Sequence, residues 1–452
     1  MKADVNARAL TMPECYKKAV IYQLFLRAFH PQGTLQAAMG MLDELADLGV
    51  DIVYLCPIAA ADEDMRQEFW SDRQKASGIE NPKNPYRIKD YFAIDEEYGT
   101  DEDLRAFIRK AHRLGLKVLL DLVYFHCGPT AVFIQDHPDY VRHTESGEID
   151  CGDWHFPKLN FDNPELREYL YQNMEYFIRE FDVDGYRCDV GASCPLDFWV
   201  EGRRRIDALK KDLFMLNEAD NPAYLVDAFE ADYGWKHWHV PLLKVMSGEL
   251  PACELVKSWT DYAETAPKGS KCILSIDNHD HANDAYNDRY ETRFGTRAIE
   301  AALFLNMTME GIPFLYNGYE VCDDNRHSIY GNRFLGRGMT INWANGFTPK
   351  GKARYAFLRR MINLRHENPA LWDGELQWNS CGYKEHVLSF CRITPEQRIF
   401  AAVNMSGETI RTEVFSKIDG DIKILEHRDA AVQIQDNVML DLLPYGFVMF
   451  EY

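Results

Sequence analysis

DGYRCDVGA, Asp184 to Ala192, sets an arginine and an aspartate two residues apart inside an otherwise apolar, strand-like run. On a strand, residues i and i+2 point to the same face, so Arg187 and Asp189 enter one interior. An arginine beside a carboxylate favours its ionised form, as a nucleophile or an electrostatic stabiliser requires. A structural buried ion pair has the same signature. The segments on either side carry the information that separates these readings.

Upstream lie AVIYQLF (19–25), DIVYLCPI (51–58) and KVLLDLVYF (117–125). Downstream lie FMLNEA (214–219), AFEADYG (228–234), CILSIDN (272–278) and IPFLYNG (312–318). Helical periodicity fills intervals between them, over Leu35–Leu48, Asp101–Leu114 and Pro164–Phe181. About eight strands with crossover connections predict an α/β protein built on a (β/α)₈ TIM barrel. The polar, aperiodic stretch 127–161 reads as a loop excursion after the third strand, a small domain B within a catalytic domain spanning 1–372. After Trp372 the texture changes to short alternating runs, HVLSFCRI, RIFAAVN and GFVMFEY. These predict a C-terminal antiparallel β-sandwich over 373–452.

The 452 residues, 46% of them hydrophobic, suffice for a large core with an appendage. A formal net charge of −21 disfavours nucleic acid and anionic membranes as partners and suits a neutral ligand such as a sugar. Eleven cysteines without C-x-x-C spacing argue against a zinc site or a disulfide framework. The start, MKADVNARALTMPECYKK, lacks the apolar run of a signal peptide, and no stretch has the length of a membrane helix. A cytoplasmic location is the expectation.

In such barrels chemistry sits at the C-terminal ends of the strands. Those ends carry Asp121 and His126 (strand 3), Arg187 and Asp189 (strand 4), Glu218 (strand 5), and Asp277, His279 and Asp280 (strand 7). Any one of them alone is a weak signal, since a strand-end acid is more often a helix cap or a loop salt bridge. Their convergence on one rim reads as chemistry. Retaining cleavage of a glycosidic bond needs a carboxylate nucleophile and a protonated carboxyl acting as acid–base, roughly 5–5.5 Å apart. Neighbouring barrel strands can supply that separation, here with Asp189 on strand 4 and Glu218 on strand 5. Arg187 would keep Asp189 charged, while the apolar setting of FMLNEAD would raise Glu218.

These residues also carry a family resemblance. DLVYFH (121–126), GYRCDVGA (185–192), MLNEAD (215–220) and SIDNHD (275–280), in this order, resemble the four main motifs of the α-amylase family, glycoside hydrolase family 13. The resemblance runs nearly end to end, from AVIYQLFLRAF to LLPYGFVMFEY. It implies Asp189 as nucleophile, Glu218 as acid–base and Asp280 as the third acid, binding sugar hydroxyls. Arg187, His126 and His279 would line the same subsite. NPYRIKDYFAID (84–95) resembles the family's tyrosine element, which makes Tyr86 the ring that stacks on a bound glucose. Asp121 is implied as a structural support.

The chain departs from the family where a structural calcium would sit. Phe125 replaces an asparagine and Lys158, in PKLN, replaces an aspartate, so no cofactor and no metal is expected there. The Lys158 ammonium would stand in for the ion's charge. Ala192 and Ser193 replace a lysine and a histidine that serve the leaving-group side, so aglycone binding should differ. The short excursion leaves both a wide groove and a pocket open.

Trp154, in that excursion, is the best candidate for an additional sugar-stacking ring, whereas Trp70, Trp235, Trp238 and Phe161 read as core. The acidic stretch ADEDMRQE (61–68) reads as a solvated loop, and the histidines around HDH (279–281) do not make a metal site. Arg326, Arg333 and Arg337 face either a polar substrate or loop carboxylates. The activity expected is hydrolysis of α-1,4-linked glucans or malto-oligosaccharides. A glucanotransferase or sugar isomerase would share the first chemical half, and a non-catalytic sugar-binding subunit should have lost one of the three acids. The oligomeric state is not legible.

Overall fold

The computed structural model describes residues 6–282, 288–335, 339–418 and 420–452. Eight short strands close into an all-parallel barrel. They are β1 (Ile21–Leu24), β2 (Ile52–Leu55), β3 (Lys117–Leu122), β4 (Gly185–Cys188), β5 (Phe214–Asn217), β6 (Ala231–Tyr233), β7 (Cys272–Leu274) and β8 (Ile312–Tyr316). Each coincides with one of the eight strand-like runs. Closure is direct, since Ile21 of β1 is in register with Ile52 of β2 and with Phe314 of β8. The strands are buried on both faces, one by the barrel interior and one by helices, so they read as continuous apolar runs.

Local signals explain the flanking helices. Thr100 and Asp103 form a capping box at the start of the helix Asp101–Arg113. Asn163 caps Pro164–Phe181, which ends at Asp182 in the left-handed region, φ 61°. The periodicity over 35–48 is interrupted at Gly40–Met41 and yields two helices, Leu35–Met39 and Leu42–Leu48. Gly185, at φ 142°, has no substitute, because a Cβ there would meet the Phe214 carbonyl oxygen of β5 at 1.9 Å.

Two excursions rise from the mouth of the barrel. Residues 127–161 form the expected irregular one, knit by single bridges between Val141 and Leu159 and between His143 and Ile149. The second follows β2 and carries a ribbon of Ala59–Ala61 against Ile88–Ile94 and a short helix, Asp72–Ala76. Asp62 departs from the solvated reading of 61–68. It is fully buried, accepts from the Thr130 amide at 2.7 Å, and pairs with buried Arg87 at 3.5 Å, pinning the two excursions together.

The C-terminal part is one continuous antiparallel sheet rather than two separate ones. Its last strand, Val438–Glu451, pairs with Ile410–Phe415 through its first half and with Arg398–Asn404 through its second, while Lys423–Ile434 runs along its length. The folded sheet encloses its own apolar cluster around Phe400, Val414, Leu440 and Phe450. The helix Thr296–Thr308 is buried around nearly its whole circumference, as a helix between two layers must be. Phe304 stacks on Phe447 of the C-terminal sheet, ring centres 4.4 Å apart. All eleven cysteines are free thiols.

Candidate active site

Register builds the centre of the site. Asp121 of β3 lies directly opposite Arg187 of β4, and both side chains are wholly buried. Arg187 Nη1 donates to both Asp121 oxygens, at 2.7 and 2.9 Å, and to Asp189 Oδ1 at 2.8 Å. Its Nη2 lies 2.6 Å from Glu218 Oε2. One guanidinium therefore serves three carboxylates, where the sequence reading assigned it to Asp189. Burial drives the Asp189 carboxyl well above its ordinary range; Arg187 opposes this, and the negative charges of Glu218 and Asp121 add to it. Burial raises Glu218 also, against Arg187, with Asp280 adding to the rise. At least one of these carboxyls holds a proton easily, as an acid–base catalyst must.

The backbone after the nucleophile candidate is strained. Val190 sits at φ 37°, ψ 44°, a left-handed conformation that a β-branched residue rarely adopts. The turn aims the Val190 amide at Glu218 Oε2, 2.9 Å away. Strain of this kind persists where surrounding contacts over-determine it.

Asp280 is the most exposed of the acids, with its side chain 39% accessible. Burial works against its charge, yet His279 where acid protonates it, and Arg73 at every pH, hold its carboxyl well below the usual range. Behind it runs a hydrogen-bonded chain with one consistent proton order. The His279 amide donates to Gln23 Oε1 (3.1 Å), so Gln23 Nε2 donates to His279 Nδ1 (2.7 Å). The proton of neutral His279 then resides on Nε2, 2.5 Å from the Tyr86 oxygen, and Tyr86 donates onward to Asp121 Oδ2 at 3.2 Å. Burial pulls the His279 imidazole down to about 3 and that of His126 to about 4, so both are neutral near pH 7. His126 Nε2 is 3.9 Å from Asp189 Oδ2.

A cavity of about 340 Å³ opens over this centre, within the range of small-ligand sites. Tyr86, His126, Trp154, Asp189, Glu218 and Asp280 all line it. Arg187 and His279 stand one layer below, where they orient the lining side chains. Tyr86 stacks nearly parallel on His279, with centroids 5.3 Å apart. Trp154, 42% exposed, packs edge-on against Phe125 and His126. Trp70 and Trp238 are core residues, as is Phe161.

Several lining residues escaped the sequence reading. Asn84 and Asp153 adjoin Tyr86 and Trp154 and were within reach of the same motifs. Ser71, Asp72 and Arg73 come from the β2 excursion and Ile329 and Tyr330 from the segment after β8. No local pattern in SDRQKAS points across the barrel mouth. Arg326 pairs with Asp288 at 2.6 Å and Arg333 donates to the Gln32 carbonyl, both away from the cavity lining. Arg337 lies outside the described residues.

The family profile described as "Alpha amylase, catalytic domain" matches residues 23–156 and 149–386. The chain is 25% identical over 446 residues to a cyclomaltodextrinase of Geobacillus thermopakistaniensis, covering 92% of this chain and 70% of that protein. It is 27% identical over 398 residues to an intracellular maltogenic amylase of Bacillus subtilis, covering 83% of this chain and 62% of that one. An α-amylase from Lactobacillus plantarum shares the fold with a TM-score of 0.80 at 23% identity, over 97% of this chain and 99% of the other. With its barrel closed, its acids gathered at the C-terminal rim and most of its length matched by the profile, the chain belongs to the α-amylase family, glycoside hydrolase family 13.

Proposed function

We propose that this chain is a retaining glycoside hydrolase that cleaves α-1,4-glucosidic bonds in malto-oligosaccharides or related α-glucans by double displacement. The observation that carries this reading is the single guanidinium of Arg187 shared by Asp189 and Glu218. Two carboxyls touching one arginine favour the short separation of retaining enzymes, about 5–5.5 Å, over the roughly 6.5–9.5 Å of inverting ones. Asp189 attacks the anomeric carbon while protonated Glu218 gives its proton to the departing glycosidic oxygen. The glycosyl–Asp189 ester is then hydrolysed by water, from which Glu218 takes a proton. Asp280, held ionised, binds ring hydroxyls and stabilises the positive charge that develops on the sugar. Tyr86 and Trp154 offer flat faces, His126 a hydrogen-bonding edge.

The names of the relatives, cyclomaltodextrinase and maltogenic amylase, support an α-glucan substrate. Transfer to a second sugar would use the same covalent intermediate, but no feature of the cavity favours it over water. Among the described residues no helix is long and apolar enough to cross a membrane. The acidic surface and the intracellular relative support a cytoplasmic enzyme without nucleic acid or membrane partners.

The residues at the family's calcium position do not fit a hard cation, which takes six to eight oxygen ligands. Phe125 presents a ring, and the Lys158 ammonium sits 3.2 Å from Asp150 Oδ1, closing the root of the excursion with an ion pair. The proposed enzyme therefore works without a structural calcium there. The test of the function is chromatography of products from maltose through maltoheptaose, soluble starch, isomaltose and sucrose, with Asp189→Asn as the matched control. Short sugars released from α-1,4 chains by the wild type alone support the reading. Inertness across the panel, or products longer than the substrate, contradicts it.

A further inference from the structure

Asp280 already has a partner in the free protein, and that partner comes from the far side of the barrel. Arg73 Nη1 donates to Asp280 Oδ1 at 2.9 Å, and Nη2 donates to the Asp280 carbonyl. Arg73 belongs to the short helix Asp72–Ala76 of the β2 excursion, whereas Asp280 follows β7. In the ring of eight strands β2 and β7 are separated by β1 and β8, so this ion pair bridges the barrel mouth. The Arg73 side chain is only 28% exposed and lines the cavity beside the carboxylates.

The segment carrying Arg73 is also tied on both flanks. Asp72 Oδ1 lies 3.2 Å from His155 Nε2 of the β3 excursion. On the other side Ser71 Oγ meets the Tyr330 hydroxyl at 3.4 Å, and Asn81 Nδ2 donates to the Tyr330 carbonyl at 2.8 Å. The wall formed by Ser71, Asp72 and Arg73 is thus fixed to the loops after β3, β7 and β8. Among the described residues the β4–β5 side contributes only Val190 and the acids Asp189 and Glu218 to the lining.

We propose that Arg73 is a specificity-determining residue that bars the cleft over the third acid, so that an α-glucan enters by its free non-reducing end and does not thread through. This rests on the hydrolase reading above. An arginine suits the task, because its planar fork takes a carboxylate and a carbonyl together and leaves less freedom than a lysine. A bar of this kind discriminates against substrates without an accessible end.

The experiment compares kcat/KM on three substrates of matched size: maltoheptaose, maltoheptaose blocked at its non-reducing end, and β-cyclodextrin, which has no end. Wild type is expected to cleave the free chain at least about tenfold faster than either of the others, and Arg73→Ala to shrink that preference by about tenfold. Arg73→Lys is expected to keep most of it, and Arg73→Gln is the second deletion variant if the alanine variant does not fold. Equal rates of the wild type on all three substrates overturn the proposal. So does a variant that loses the same factor on every substrate, since Arg73 would then only support Asp280. Inertness of the wild type on all three contradicts the parent hydrolase reading, and this one with it. Cleavage of maltoheptaose without preference contradicts this one alone.

Discussion

Two of the places where this protein buries arginines hold them in opposite ways. At the barrel mouth, Arg187 is one cation among Asp121, Asp189 and Glu218. At the junction with the C-terminal sheet, Arg365 and Arg392 face carbonyl oxygens. Arg365 donates to Met307, Leu371 and Gly311, and Arg392 to Thr308 and Gly374. Met307 and Thr308 end the buried helix Thr296–Thr308, whose C-terminal dipole favours a positive charge. Burial pulls Arg365 down to about 9 and Arg392 to about 10, which leaves both charged at neutral pH. The junction meets the terminal nitrogens of its arginines with neutral carbonyl acceptors. The mouth concentrates more negative charge than its cation offsets, which holds carboxyl protons in play. Stability is built into the first arrangement and reactivity into the second.

The largest effect should come from removing the proposed nucleophile. Asp189→Asn is expected to lower kcat/KM on maltoheptaose by about 10⁴-fold or more, while the fold persists by circular dichroism. Arg187→Met leaves three buried carboxyls without their shared cation, so their protons are held more tightly. A loss of about 10³-fold in kcat/KM, with a lower melting temperature, is the expected result. Arg392→Met should invert that profile. Two buried carbonyls lose their donor, destabilising the protein by about 2–4 kcal/mol in urea titration, with kcat/KM per folded molecule changed by less than about threefold. If the junction variant lost activity as the mouth variants do, the contrast between the two sites would fail.

A subtler difference lies in pH. A carboxyl raised in the folded state binds its proton more tightly there than in the unfolded chain, so its contribution to stability declines as pH rises from about 4 through the folded-state value. Asp189 is raised in this way. Asp189→Asn should therefore melt higher than the wild type at pH 7, and the gain should shrink toward pH 4. A gain that grew on acidification would have the wrong sign for a carboxylate whose charge is costly to bury. The smallest effect concerns calcium. Chelator treatment should leave the melting temperature unchanged, and calorimetry on stripped protein should detect no tight calcium at Phe125 and Lys158. A large downward shift would show that the Lys158–Asp150 pair does not do the work of an ion.

The barrel was legible because its strands are buried on both faces and carry unbroken apolar runs, such as KVLLDLVYF and IPFLYNG. The acids were legible because strand ends fix where their side chains go, and because Arg187 and Asp189 share a face at spacing two. The C-terminal sheet was visible as alternation, but its continuity was not, since pairing of Val438–Glu451 with three partners depends on long-range register. Arg73 was hidden for a similar reason. It sits in a polar turn with no periodicity, and its meaning comes from Asp280, far away in sequence. Asp62 misled as part of an acidic run, because buried Arg87 and the Thr130 amide, not neighbours in sequence, offset its charge.

The central claim, that Asp189 is the nucleophile of a retaining mechanism, is tested most directly by trapping the glycosyl-enzyme. The protein would be incubated with a fluorinated α-glucosyl fluoride, digested, and its peptides sequenced by mass spectrometry. The expected result is one sugar ester, on Asp189, in the peptide containing DGYRCDVGA. A label on Glu218 or Asp280 instead, or an inverted anomer as the first product seen by NMR, would contradict it.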